Sequence, residues 1–128
     1  MNKKITWQIK KVKLSLLKPF EFNPRRMTEK GMKDLGKSID KFGLAEPIVI
    51  NTDYIIIGGH TRYYILKDRE EKSVDCYVPS RTLDEKEIKE LNIRLNKNIA
   101  GSFDFDILAN NFELPDLIDW GFEKNKKY

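Results

Sequence analysis

Five consecutive residues, Gly58-Gly59-His60-Thr61-Arg62, combine a permissive backbone with an imidazole, a hydroxyl and a guanidinium. They follow an apolar run, Tyr54-Ile55-Ile56-Ile57, and lead into Tyr63-Tyr64-Ile65-Leu66, which reads as the start of a helix. A strand–glycine–helix junction aims free backbone N–H groups outward, and the helix dipole adds partial positive charge there. Such a turn suits phosphate or another anion. The two glycines can take dihedrals closed to other residues and let a ligand approach the backbone. Arg62 adds a planar cation matched to phosphate oxygens. His60, the single histidine of the chain, sits at the positive end of the dipole and is expected to be neutral, donating one hydrogen bond and accepting another. The same residue types also make a plain strand-to-helix connection, with Thr61 as a cap and Arg62 on the surface.

Other chemistry is sparse. As an enzyme, a phosphotransferase or nuclease, the chain would use His60 as general base with Glu46 or Asp53 near a metal. No clear carboxylate cluster supports that reading. Asp104 and Asp106 stand where a helix begins, and acids there commonly serve as caps. One cysteine, Cys76, makes no internal disulfide, and one Cys with one His makes no metal cluster. A reducing cytoplasm is the compartment this suggests. No apolar run is long enough for a transmembrane helix, and Met1–Trp7 lacks the apolar block of a secretory signal.

The net charge of +4 is unevenly distributed. Residues 1–26 carry +7, residues 27–98 balance, and residues 99–128 carry −3. The basic first part, with Lys10, Lys11, Lys13, Arg25 and Arg26, suits a polyanion such as DNA. A solvated lysine-rich end is the plainer alternative.

The elements that must position these residues can be read from periodicity. Val12, Leu14 and Leu16 alternate as in a half-buried strand. Pro19 and Asn23-Pro24 mark an irregular segment. Thr28 caps a helix whose Met32, Leu35, Ile39 and Phe42 form one apolar face, and Gly43 stops it. Pro47–Ile50 and Tyr54–Ile57 make a hairpin around Asn51-Thr52-Asp53, apolar enough to be buried on both faces. A helix over His60–Arg69 follows, with Tyr64 or Ile65 inward, then a strand over Val74–Val78. Leu83-Asp84 leads into a helix with Ile88, Leu91 and Leu95 on one face. A last helix from about Asp104 carries Ile107, Leu108 and Phe112, and Leu114-Pro115 breaks it. Leu117, Ile118 and Trp120 form a final apolar patch, which either seals the core or contacts a partner. The whole is an α+β domain over residues 1–122, a small mixed sheet packed by helices with a helical C-terminal part. Residues 123–128 form a polar tail.

In that order these motifs resemble the ParB N-terminal / sulfiredoxin-like superfamily over roughly residues 10–122. The pieces are Asn23-Pro24-Arg25 before the first helix; Ser38-Ile39 followed by Phe42-Gly43-Leu44-Ala45-Glu46-Pro47-Ile48-Val49-Ile50; Ile57-Gly58-Gly59-His60-Thr61-Arg62, like the Gly-x-x-Arg signature; and Leu95-Asn96-Lys97. Leu91–Phe105 and Trp120-Gly121-Phe122 look similar to the short ParB-like domains of phages and mobile elements, often found beside DNA methyltransferases.

The resemblance implies a nucleotide- or phosphate-binding pocket. Gly58, Gly59, His60, Thr61 and Arg62 would hold phosphate, Asn23, Arg25 and Glu46 would line the pocket, and Asn96 would approach from the helical side. In partition proteins of the superfamily this pocket binds CTP with magnesium and is coupled to DNA binding. In sulfiredoxin it binds ATP beside a catalytic Cys; in free-serine kinases it serves phosphoryl transfer; nuclease activity has been attributed to other members. This chain departs from those patterns. His60-Thr61 replaces the sulfiredoxin Cys, which argues against sulfinic acid reductase, and Cys76 reads as a small core residue. Leu95 and Ile99 stand where partition proteins have an acid and an arginine, removing a natural magnesium ligand. The chain is also too short for the helix-turn-helix and dimerisation regions of a full partition protein. A nucleotide-responsive, DNA-associated module is therefore the expectation, with NTPase, nuclease or kinase activity left open. A ligand-free adaptor for a methyltransferase or other protein is the remaining alternative.

Overall fold

Strand β1, Trp7–Lys13, pairs antiparallel with β5, Ser73–Pro79, from Trp7 opposite Pro79 to Lys13 opposite Ser73. The computed structural model to which these strands belong describes residues 4–96, 102–103 and 105–119, with backbone alone at 25, 26, 102, 103, 105 and 106. Strand β5 runs parallel to β3, Ile48–Ile50, which turns back antiparallel onto β4, Ile56–Gly58. The sheet order is β1-β5-β3-β4, a mixed sheet as expected. The hairpin turn closes through Asp53, whose Oδ1 accepts the Ile55 N–H at 3.1 Å. A two-residue strand β2, Arg25–Arg26, pairs with β6, Ser102–Phe103.

Both faces of the sheet are covered. On one, Ile48, Ile50, Ile56, Val74 and Cys76 meet Tyr63 and Leu66 of α2, His60–Asp68, with Ile39 of α1, Glu29–Phe42, against them. On the other, Ile57 packs with Phe20, Leu83 and Ile88, the last from α3, Glu85–Asn96. Ile93 of α3 joins Leu108 of α4, Phe105–Asn111, and Leu117 of α5, Leu114–Asp119. Ile48, Ile56 and Ile57 are fully inaccessible, so the hairpin is buried on both faces as its composition implied.

Several local expectations change. Leu16 is not in a strand: the chain turns into a short 3₁₀ helix at Leu14–Leu16, leaving Leu16 exposed. Thr28 caps α1 as expected, its Oγ1 accepting the Gly31 N–H at 3.0 Å. Phe42, however, is 71% exposed. At 100° per residue it lies about 50° off the centre of the Met32/Leu35/Ile39 arc, just beyond Leu35. Gly43, at φ 75°, then redirects the chain so that Leu44 packs on the core instead. Of Tyr64 and Ile65, Ile65 is the buried one. On α3 the buried residues are Ile88, Asn92, Ile93 and Asn96, while Leu95 is 38% exposed. Leu114-Pro115 begins a further helix, α5, after α4 has already ended at Asn111. Lys97, Ile99, Asp104, Trp120, Gly121, Phe122 and the tail 123–128 lie outside the described residues. No helix among the described residues is long and apolar enough to cross a membrane.

Candidate functional site

The start of α2 is positioned from two sides. Lys18 bridges Ile55 beyond the end of β4, accepting the Ile56 N–H at 2.8 Å and donating to Tyr54 O at 2.9 Å. That bridge carries the next residues, Pro19 and Phe20, over the first turn of α2. There the Phe20 N–H donates to His60 Nε2 at 3.0 Å. The imidazole is buried, and desolvation pulls its pKa down to about 4. His60 is thus neutral at physiological pH. Its Nε2 is held as an acceptor, which leaves the proton on Nδ1.

Gly59 is the N-cap of α2 in the left-handed region, φ 93°, and among the described residues no side chain caps the helix. The first helical bond runs from Tyr63 N–H to Gly59 O at 3.0 Å. The N–H groups ahead of it in the first turn have no place in the helical ladder. This turn borders a cleft of about 330 Å³ whose lining includes Phe20, Glu21, Asn23, Met32, His60 and Thr61. Gly58 has a different job. A Cβ built there would come 2.9 Å from Leu95 Cδ1, so the missing side chain admits α3 against β4.

Arg62 does not line that cleft. Its Nη2 donates to Glu46 Oε2 at 2.5 Å, with Glu46 largely exposed and Arg62 mostly covered. Asn23 and Asn96 are tied together through a residue the sequence reading missed. Asn92 Nδ2 donates to Asn23 Oδ1 and to Ile57 O, both at 3.0 Å, and Asn96 Nδ2 donates to Asn92 O at 2.7 Å. Among the described residues Asn92 Oδ1 is buried without a hydrogen-bond partner. The signal was available: Asn92 and Asn96 are four apart on one helical face. Asn23, His60 and Thr61 therefore share one cleft, Arg62 and Glu46 form a pair outside its lining, and Asn96 braces the network behind Asn23.

Among the described residues no group of three or more His, Cys, Asp or Glu gathers as a metal site. Asp53 is used in the hairpin turn and Glu46 in its ion pair. Cys76 is fully inaccessible in β5, its thiol pushed up to about 11 by burial and then by Asp75, so it is not a thiolate nucleophile. Lys10, Lys11 and Lys13 are all exposed on β1, at the opposite edge of the sheet from β4. Three strand spacings, about 14 Å, separate those edges. Lys11 Nζ lies 3.6 Å from Asp75 Oδ1. Arg25 and Arg26 are on β2, in the separate two-stranded sheet with β6.

Known proteins bear on this arrangement in three ways. A probable chromosome-partitioning protein ParB of Campylobacter jejuni is 27% identical over 84 residues, which are 62% of this chain and 30% of that protein. The Pnob8-like ParB-N domain superposes with a TM-score of 0.66 at 22% identity, over 84% of this chain and 44% of the other. C-terminally truncated ParB of Caulobacter crescentus, complexed with CTP-γ-S, gives 0.63 at 23% identity, over 88% and 69%. Sulfiredoxin of Arabidopsis thaliana gives 0.53 at 20% identity, over 66% and 96%. These likenesses fix the fold, and the chain spans under a third of the curated relative's length. The model of the ParB N-terminal domain matches residues 2–99, and the chain belongs to that family.

Proposed function

We propose that this domain binds a nucleoside triphosphate, CTP or ATP, at the start of α2 and serves as a nucleotide-responsive, DNA-associated module. The observation that carries the reading is the uncapped first turn of α2 opening on the cleft lined by Asn23, His60 and Thr61. Free N–H groups and the dipole favour a phosphate there. A neutral His60 adds no charge of its own, and its hydrogen bond to Phe20 holds the cleft wall in place. The fold is shared with a ParB whose structure holds CTP-γ-S and with one solved on the centromeric parS site.

Magnesium fits in a limited way. Glu21 is the one carboxylate in the described lining of the cleft. The ion commonly takes one or two carboxylates together with substrate phosphates and water. Glu21 would hold it from the protein side, and the ion would offset phosphate charge. His60 Nε2 is engaged by a backbone donor, which supports a binding role over that of a general base.

A thermal-shift panel of ATP, ADP, CTP and GTP, each with and without magnesium, tests the reading. A ligand at 100 times its dissociation constant stabilises by about 2.7 kcal/mol. One nucleotide giving such a shift supports the proposal; a flat panel at millimolar concentration argues for an adaptor without a ligand.

A further inference from the structure

Helix α1 carries a line of lysines that the nucleotide reading does not use. Lys30, Lys33, Lys37 and Lys41 recur at spacings of three and four and are all exposed. At 100° per residue they fall within an arc of about 80° and extend about 16 Å along the helix. Met32, Leu35, Gly36 and Ile39, the core side of α1, lie on the opposite face. Met32 also lines the nucleotide cleft. One helix therefore presents the cleft on one side and the lysine line on the other.

What distinguishes this face is the in-line spacing of four cations, since Lys10, Lys13, Lys18, Lys67 and Lys72 also have no carboxylate partner among the described residues. On and beside α3, Arg94 pairs with Glu90 at 2.7 Å, Lys86 with Asp116 at 3.9 Å, and Lys89 Nζ donates to Asn111 O at 2.8 Å. Among the described residues none of the four α1 lysines has a carboxylate partner. Asp40, which flanks the line, is drawn away by Arg69, at 2.6 Å. Asp34 flanks the line on the other side, and Glu29 stands one turn before Lys33. The β1 lysines are less concentrated, since Lys11 faces Asp75.

We infer that the lysine line of α1 is the duplex-DNA contact of this domain, tracking one phosphate strand. The inference rests on the DNA-associated reading above and names its surface. A strand of B-DNA carries one charge per 3.4 Å of axis, so about 16 Å of helix faces about five phosphates. Lysines act as point charges on such a backbone and carry no base readout, so the contact is independent of sequence. An anionic membrane fits less well, because the apolar face of α1 is turned to the core and only Phe42 is exposed beside the lysines.

The test uses the full chain and a mixed-sequence duplex, with fluorescence anisotropy over a salt series. The parent binds with a steep salt dependence. Replacing Lys30, Lys33, Lys37 and Lys41 by Gln flattens the slope of log affinity against log salt by up to about 3.6, and replacing them by Arg retains it. Replacing Lys10, Lys11 and Lys13 by Gln changes the slope less. Circular dichroism melts confirm that each variant folds. The inference is overturned if the α1 Gln variant keeps the parent slope, if the parent binds no duplex at low salt, or if it binds phosphatidylserine vesicles and not DNA. Nucleotide-induced thermal shifts on the same variants report on the cleft separately, so loss of DNA binding with an intact shift leaves the nucleotide reading standing.

Discussion

Phe20 and His60, 40 residues apart in the chain, meet through a 3.0 Å hydrogen bond from the Phe20 N–H to His60 Nε2. The bond ties the irregular segment after β1 to the first turn of α2 and fixes which nitrogen carries the proton. Burial of the imidazole makes stability depend on pH. The folded pKa of about 4 lies below the usual 6.5, so the unfolded chain binds a proton that the folded chain refuses. His60 therefore contributes stability above pH 6.5 that is lost as pH falls toward 4. The shift corresponds to about 3 kcal/mol in full and about 2 kcal/mol by pH 5. Urea denaturation at pH 7.5 and pH 5 should show that loss in the parent and not in His60→Gln. An equal loss in both would place the pH dependence in the carboxylates.

The ion pair of Arg62 with Glu46 makes a second prediction. Glu46 is largely exposed, so breaking the pair costs the fold well under 1 kcal/mol. Glu46→Gln frees the guanidinium to turn toward a phosphate on the same helix turn. Nucleotide affinity should rise with no fall in melting temperature. A variant that binds more weakly than the parent would make Glu46 a ligand contact and not a competitor.

Phe42 separates the sequence reading from the structure most sharply. Phe42→Ala should change stability by less than about 0.5 kcal/mol, because the ring is exposed. Ile48→Ala, at a fully inaccessible site, should cost about 2–5 kcal/mol. Chemical denaturation of the two variants checks both, and a large loss for Phe42→Ala would contradict the placement of that side chain.

Much of the fold was legible because its signals are local. Thr28 and Gly43 bracket α1, and the isoleucine-rich arms around Asn51-Thr52-Asp53 can only be a buried hairpin. What was missed depends on partners distant in sequence. Asn92 looks like a solvated position, yet it is buried with its amide donating to Ile57 O and Asn23 Oδ1, and Asn96, expected at the pocket, donates to Asn92 O. Leu95 looks like core, yet it leans on Gly58 at the margin of α3. The pair β2 and β6 is two residues long, too short for any periodicity. At the site, the glycine–histidine turn and its anion-binding character were readable from residue types. The engagement of His60 by Phe20, and of Arg62 by Glu46, was not.

Gly58 and Leu95 give a coupled prediction. Gly58→Ala puts a methyl 2.9 Å from Leu95 Cδ1, an overpacking that should cost about 1 kcal/mol because the partly exposed Leu95 side chain can shift. Adding Leu95→Ala should recover part of that loss, giving a coupling of at least about 0.5 kcal/mol in a double-mutant cycle. Strict additivity would mean that α3 does not rest on Gly58.

The central claim is that the start of α2 holds the phosphates of a nucleotide. Calorimetric titration of CTP and ATP, with magnesium, into the parent chain and Arg62→Ala tests it most directly. The account predicts saturable binding of one of them by the parent. It predicts nearly the same affinity in the variant, because the lost guanidinium lies outside the cleft lining and is held by Glu46, with little change in melting temperature. No heat from either nucleotide at millimolar concentration would contradict it.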